Sequence, residues 1–96
     1  MFIKIYETDG SILVTVCDRE LIGKTLKGNG LKLEIDKEFY QGELADAAQV
    51  QAVLLEATTA NIVGERSVRS AISCGAIDPV CVIDIGGVPH AQMFCL

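Results

Sequence analysis

From Phe2 to Glu7 apolar and polar side chains alternate, and after Thr8-Asp9-Gly10 a second run rich in β-branched residues follows, from Ser11 to Asp18. Alternation with a period of two marks a strand with one buried face, and a turn of this composition between two such runs predicts a hairpin. Residues Asp18 to Leu26 fit a short helical turn ended by Gly23. Gly28-Asn29-Gly30 then launches Leu31 to Asp36, in which Leu31, Leu33 and Ile35 point one way and Lys32, Glu34 and Asp36 the other.

Asp46 followed by Gln49 has the form of a capping box, so a helix is predicted with Ala47, Val50, Val53, Leu54 and Ala57 on its inner face. Thr58 or Thr59 stands where it would cap a second helix. The stripe Ala60, Gly64, Val68, Ala71 and Ile72 keeps helical spacing until Gly75 stops it. Asp78-Pro79 turns the chain into a strand ending at Ile85, and Gly86-Gly87-Val88-Pro89 separates that strand from a last one starting at His90. The expected architecture is α+β, one compact domain over residues 1–96. Its element order is β-β-β-α-α-β-β, a mostly antiparallel sheet with two helices packed on one face.

Composition agrees with such a body. Half of the 96 residues are hydrophobic and 22% are charged, on the globular side of the boundary with disordered chains. The formal charge of −5 arises from 13 acidic and 8 basic side chains with no basic block. Direct nucleic-acid binding is disfavoured, because phosphate contacts need a positive stripe. No apolar stretch approaches the length that crosses a bilayer. Lys4, Glu7 and Asp9 break up what a signal peptide would need as an apolar run, so no membrane partner and a cytoplasmic location are expected. Cys17, Cys74, Cys81 and Cys95 form no C-x-x-C pair. They are read as buried free thiols acting as small hydrophobes, without a metal or cofactor.

Two segments concentrate polar chemistry. On the predicted second helix Asn61, Glu65 and Arg69 fall four apart with Arg66 beside them, and Glu65 and Arg69 stand in the favourable order for an exposed ion pair. Gly64 in mid-helix would cost about 1 kcal/mol against alanine, so a strand or a ligand is expected to approach closely there. The second segment holds His90, the one histidine, whose ordinary pKa of 6.5 suits an acid, a base, a ligand or a hydrogen-bonding group. Asp84 faces it from the opposing strand if Gly86-Gly87 forms a hairpin turn, and Gln92 shares its side of the last strand. No nucleophile elbow, phosphate loop, dinucleotide fingerprint or H-E-x-x-H motif occurs, so no catalytic residue is assigned.

The runs CDRELIGK (17 to 24), FYQGE (39 to 43), TANIVGERSV (59 to 68) and IGGVPHAQ (85 to 92) resemble signature segments of the DUF424 family, small archaeal proteins of unknown function. The resemblance spans nearly the whole chain. It implies an archaeal, cytoplasmic, single-domain protein with no assigned activity and a loose association with translation and ribosome-related processes. It carries over no catalytic residue.

The resulting expectation is a non-catalytic binding or adaptor module whose contact surface combines Asn61, Glu65, Arg66, Arg69, Gly86, Gly87, His90 and Gln92. Its partner would be a protein or a ribonucleoprotein, and self-association is compatible with the composition. The alternative is a small enzyme or ligand-binding protein using His90 with Glu65 or Asp84. A third reading, RNA binding, requires Lys24, Lys27, Lys32 and Lys37 to converge with Arg66 and Arg69 on one face.

Overall fold

A computed structural model describes residues 1–94. Strands β1 (Phe2–Thr8) and β2 (Ser11–Cys17) form the hairpin anticipated around Asp9-Gly10, in register from Phe2 opposite Cys17 to Thr8 opposite Ser11. A single 3-10 turn over Arg19–Leu21 follows. Strands β3 (Thr25–Gly28) and β4 (Leu31–Glu34) pair around Asn29-Gly30. Next come α1 (Lys37–Tyr40), β5 (Glu43–Leu44) and α2 (Ala47–Glu56). Helix α2 begins with the predicted capping box, in which Gln49 N donates to Asp46 Oδ1 at 2.9 Å and the Gln49 side chain accepts from Asp46 N at 2.9 Å. The chain ends its described course through β6 (Thr59–Val63), α3 (Glu65–Ser73), a 3-10 turn (Pro79–Cys81), β7 (Ile83–Ile85) and β8 (Val88–Phe94).

The α+β class is as expected, and the element order is not. Residues 59–63, predicted to open a helix, form β6, which lies parallel to β2 and antiparallel to β8. Six strands make one mixed sheet in the order β5-β1-β2-β6-β8-β7, and β3-β4 make a separate two-stranded sheet. Thr58 caps nothing helical. Its hydroxyl accepts from Ile12 N at 2.8 Å and donates to Ile12 O at 2.9 Å, which clamps the start of β6 to β2. The helical spacing from Ala60 to Gly64 misled because the alternation of β6 stops at Ile62 and Val63, adjacent residues buried in the clusters on opposite faces of the sheet.

Those two faces hold two packed clusters. Val14, Val16, Ala60, Ile62 and Ala91 pack against Val50 and Leu54 of α2 and Val68 and Ala71 of α3. On the opposite face Cys17, Val63 and Ile85 pack against Leu26, Ile35 and Tyr40, carried by the β3-β4 hairpin, the segment after it and α1. The hairpin thus roofs the face that the helices leave open. Each large aliphatic side chain removed from water here contributes about 1.5–3 kcal/mol before entropy is set against it. The layering also separates cations. Lys27 and Lys32, paired across the hairpin, and Arg66 and Arg69 on α3 lie on opposite sides of the main sheet.

Candidate functional site

Helix α3 has no side-chain cap from its own N-cap residue, Gly64. The capping group comes from the end of β2. Asp18, only 3% exposed, accepts from Ser67 N (2.8 Å) and Ser67 Oγ (2.7 Å) through Oδ1, and from Arg66 N (3.1 Å) through Oδ2. A carboxylate is favourable there, since the first amides of a helix lack internal partners and its dipole attracts negative charge. Gly64 adopts φ +109°, and a Cβ on it would strike the Asp18 carboxyl group. What comes close to this glycine is therefore neither a strand nor a ligand but the side chain of Asp18.

Two backbone bonds extend this corner. Asp18 N donates to Val63 O at 3.1 Å, and Gly64 N donates to Pro89 O at 2.9 Å, which brings the Gly86-Gly87 turn beside the first turn of α3. Gly86 is itself pinned, because a Cβ would meet Lys27 O at 2.5 Å and the hairpin turn at Gly28 lies against its backbone. Between these segments is a hollow of about 130 Å³ bordered by Glu20, Leu21, Glu65, Gly87, Val88 and Pro89, with the buried Asp18 and Gly64 also lining it. Arg66 Nη1 lies 3.8 Å from Glu20 Oε2, both side chains more than half exposed, a pair worth at most about 1 kcal/mol. Among the described residues Glu65 and Arg69 form no ion pair, and Arg69 is exposed.

The other predicted residues lie elsewhere. Asn61 belongs to β6, opposite Gln92 on β8, and Gln92 Nε2 donates to Asn61 Oδ1 at 2.9 Å. His90 stands between Val63 and Ile83 on the same face and is 8% exposed. Its Nδ1 is buried without a hydrogen-bond partner. Burial lowers its pKa below 6.5; the nearby Ile62 carbonyl offsets part of that pull, although no bond of normal geometry joins it to the ring. Asp84 does not face the imidazole. It sits opposite Pro89, one position off, and its Oδ1 accepts from Gly87 N at 2.9 Å to close the turn. Glu65 borders the hollow, while the groove of about 320 Å³ next to His90 is lined by Cys81, Ile83, Ala91, Gln92 and Phe94, with no carboxylate. The eight residues thus divide into one set at the α3 corner and another on the sheet.

Asp18, Glu20, Leu21, Val88 and Pro89 join the corner without having been singled out. Asp18 acts on Ser67 at a separation of 49 residues, a relationship invisible to local pattern. Of the cysteines, Cys17 is buried as expected, and Cys74 and Cys81 are not. Burial first, then the charges of Asp18 and Glu20, push the Cys17 thiol up to about 12. Cys74 is half-buried, Cys81 is exposed in the turn before β7, and both are free like Cys17. Cys95 lies outside the described residues. Among those described, no group of three or more His, Cys, Asp or Glu side chains is arranged to hold a metal ion. Among the described residues no helix is long and apolar enough to cross a membrane.

Among curated proteins no relative matches. One solved structure, described as the crystal structure of an uncharacterized conserved protein from Methanopyrus kandleri, is similar over 99% of this chain and 90% of its own, with 27% identity and a TM-score of 0.82. The family model described as a protein of unknown function, DUF424, matches residues 6–96, which contain both the α3 corner and the sheet residues. This chain belongs to the DUF424 family.

Proposed function

We propose that this chain is a non-catalytic binding module of the cytoplasm, which docks a protein partner through the corner formed by the Arg19–Leu21 turn, the first turn of α3 and the Gly86-Gly87 turn. The observation that carries this reading is that three segments distant in sequence meet at one hollow and are held there by backbone bonds and the Asp18 cap. A hollow of about 130 Å³ is too small to enclose an ordinary small-molecule substrate, for which about 300 Å³ is the lower range. Its rim suits a protruding basic side chain, which would meet Glu65 and Glu20 over the apolar edge of Leu21, Val88 and Pro89. The carboxylates of Glu20 and Glu65 on the rim favour a protein over a phosphate backbone as the occupant. An association with translation or ribonucleoprotein particles rests on the family resemblance, and through this surface it would run by way of a protein component.

The test is charge reversal. Glu20→Lys combined with Glu65→Lys changes two exposed positions, so circular dichroism is expected to report an unchanged fold. Affinity for a partner isolated from native extract, measured by calorimetry, is expected to fall at least about tenfold, as loss of contacts at the centre of an interface does. Affinity kept within about twofold removes the corner as the docking surface, and a partner whose binding falls steeply with salt and needs RNA replaces the protein reading.

A further inference from the structure

The edges of the main sheet are not treated alike. At one end β5 covers only Phe2 and Ile3 of β1, and charged residues guard that side: Lys4, Glu7 and Glu43, with the Lys4 ammonium bound to the Glu38 carbonyl. Charged side chains of this kind are how sheets prevent edge-to-edge pairing. At the other end β7 is protected by the β3-β4 hairpin, where Asn29 Nδ2 donates to the Asp84 carbonyl at 3.1 Å. But β7 pairs with β8 only as far as His90.

Beyond that point the edge of β8 is bare. Gly64 N bonds Pro89 O, so Pro89, Ala91 and Met93 turn their backbone groups toward β6, and His90, Gln92 and Phe94 turn theirs away from it. His90 meets Ile83. Among the described residues nothing meets the N–H and C=O groups of Gln92 and Phe94. The segment Ala91–Phe94 carries no charge, and the groove beside it has no ionised side chain, the imidazole being uncharged near neutral pH. Two exposed apolar residues line that groove, Phe94 at 73% and Ile83 at 45%.

We infer that β8 pairs antiparallel with β8 of a second copy of this chain, joining two six-stranded sheets across a twofold axis. Antiparallel strand pairing about such an axis is self-complementary, so each copy supplies the neutral extended backbone that the other lacks. The chain as a whole carries −5, which opposes self-association through its charged surfaces. At this edge a second copy brings no like charge, whereas a charged peptide finds no counter-charge. The Asn61-Gln92 pair continues from β6 to the seam and orders the side chain next to it.

Sedimentation equilibrium across a concentration series, together with amide exchange by nuclear magnetic resonance, tests this. A reversible dimer is expected, with the amides of Gln92 and Phe94 exchanging freely at low concentration and protected at high concentration. Phe94→Lys, at an exposed position, is expected to weaken the dimer at least tenfold with an unchanged circular dichroism spectrum, and Phe94→Leu to retain it. A chain that stays monomeric throughout the series overturns the inference. So does a dimer that survives Phe94→Lys and leaves those two amides unprotected, because its interface is then elsewhere.

Discussion

Asp18 and Ser67, separated by 49 residues, share a buried pair of hydrogen bonds: Oδ1 of the aspartate accepts both the backbone N–H and the hydroxyl of the serine. Through this contact the end of β2 fixes the start of α3, and with it the corner to which the Gly86-Gly87 turn is attached.

Replacing Asp18 by alanine is expected to destabilise the protein by about 3 kcal/mol, since it removes a helix cap and leaves buried donors of Arg66 and Ser67 unpaired. Urea unfolding followed by circular dichroism measures this directly. A loss below about 1 kcal/mol would show that solvent replaces the carboxylate.

Gly64→Ala introduces a Cβ at φ +109° that meets Asp18. A cost of at least about 2 kcal/mol is expected, part of it backbone strain and part the collision. Alanine at position 18 removes the carboxyl contacts but keeps the Asp18 Cβ, 2.6 Å from the added atom, so the collision is relieved only in part. A double-mutant cycle is therefore expected to show a coupling of about 0.5 kcal/mol, the double variant being less damaged than the sum of the singles.

His90 produces a pH dependence of definite sign. Its folded pKa lies below the value of 6.5 in the unfolded chain, with burial as the main cause. Above pH 6.5 both states hold a neutral ring and the histidine contributes no slope. As the pH falls through 6.5 the unfolded chain takes up a proton that the folded one resists, so stability falls until the folded pKa is passed. Thermal unfolding at pH 7.5 and 5.5 is expected to show this loss, and His90→Phe to lack it. The same variant removes an unsatisfied buried nitrogen, so at pH 7.5 it is expected to be neutral or stabilising by up to about 1 kcal/mol.

The thiols differ in reactivity. Cys81, exposed, is expected to alkylate first in the native protein, and Cys74 later. Cys17, buried with its thiol pushed up to about 12, is expected to react only on unfolding. Peptide mapping after timed alkylation reads the order, and early modification of Cys17 would contradict the packing of its cluster.

Features written within a few residues of one another were legible from pattern. The β1-β2 hairpin around Asp9-Gly10, the Asp46-Gln49 capping box and the turn at Asn29-Gly30 follow from neighbours in the chain, whereas the strand after that turn ends at Glu34 with Leu31 exposed and only Ile35, beyond it, fully buried. The stretch Thr59 to Val63 imitates a helix because Ala60 and Gly64 share helical spacing with Val68, while the adjacent Ile62 and Val63, buried on opposite faces of the sheet, cut the strand alternation short. For the candidate site, the Gly86-Gly87 turn is legible as a turn, whereas Glu65 and Arg66, read as mid-helix, open α3, and Asn61 and Gln92 belong to the sheet.

Local chemistry thus specified the turns, the cap of α2, the acidic balance and the family signature. Long-range contact decided the rest: that β6 enters beside β2, that Gly64 makes room for Asp18, that Asp84 closes a turn instead of facing His90, and that one edge of β8 stays open. The physical reason is one of range. Turn and capping preferences act between residues a few positions apart, whereas burial, pairing register and the meeting of Asp18 with Ser67 depend on which distant segments share the same core.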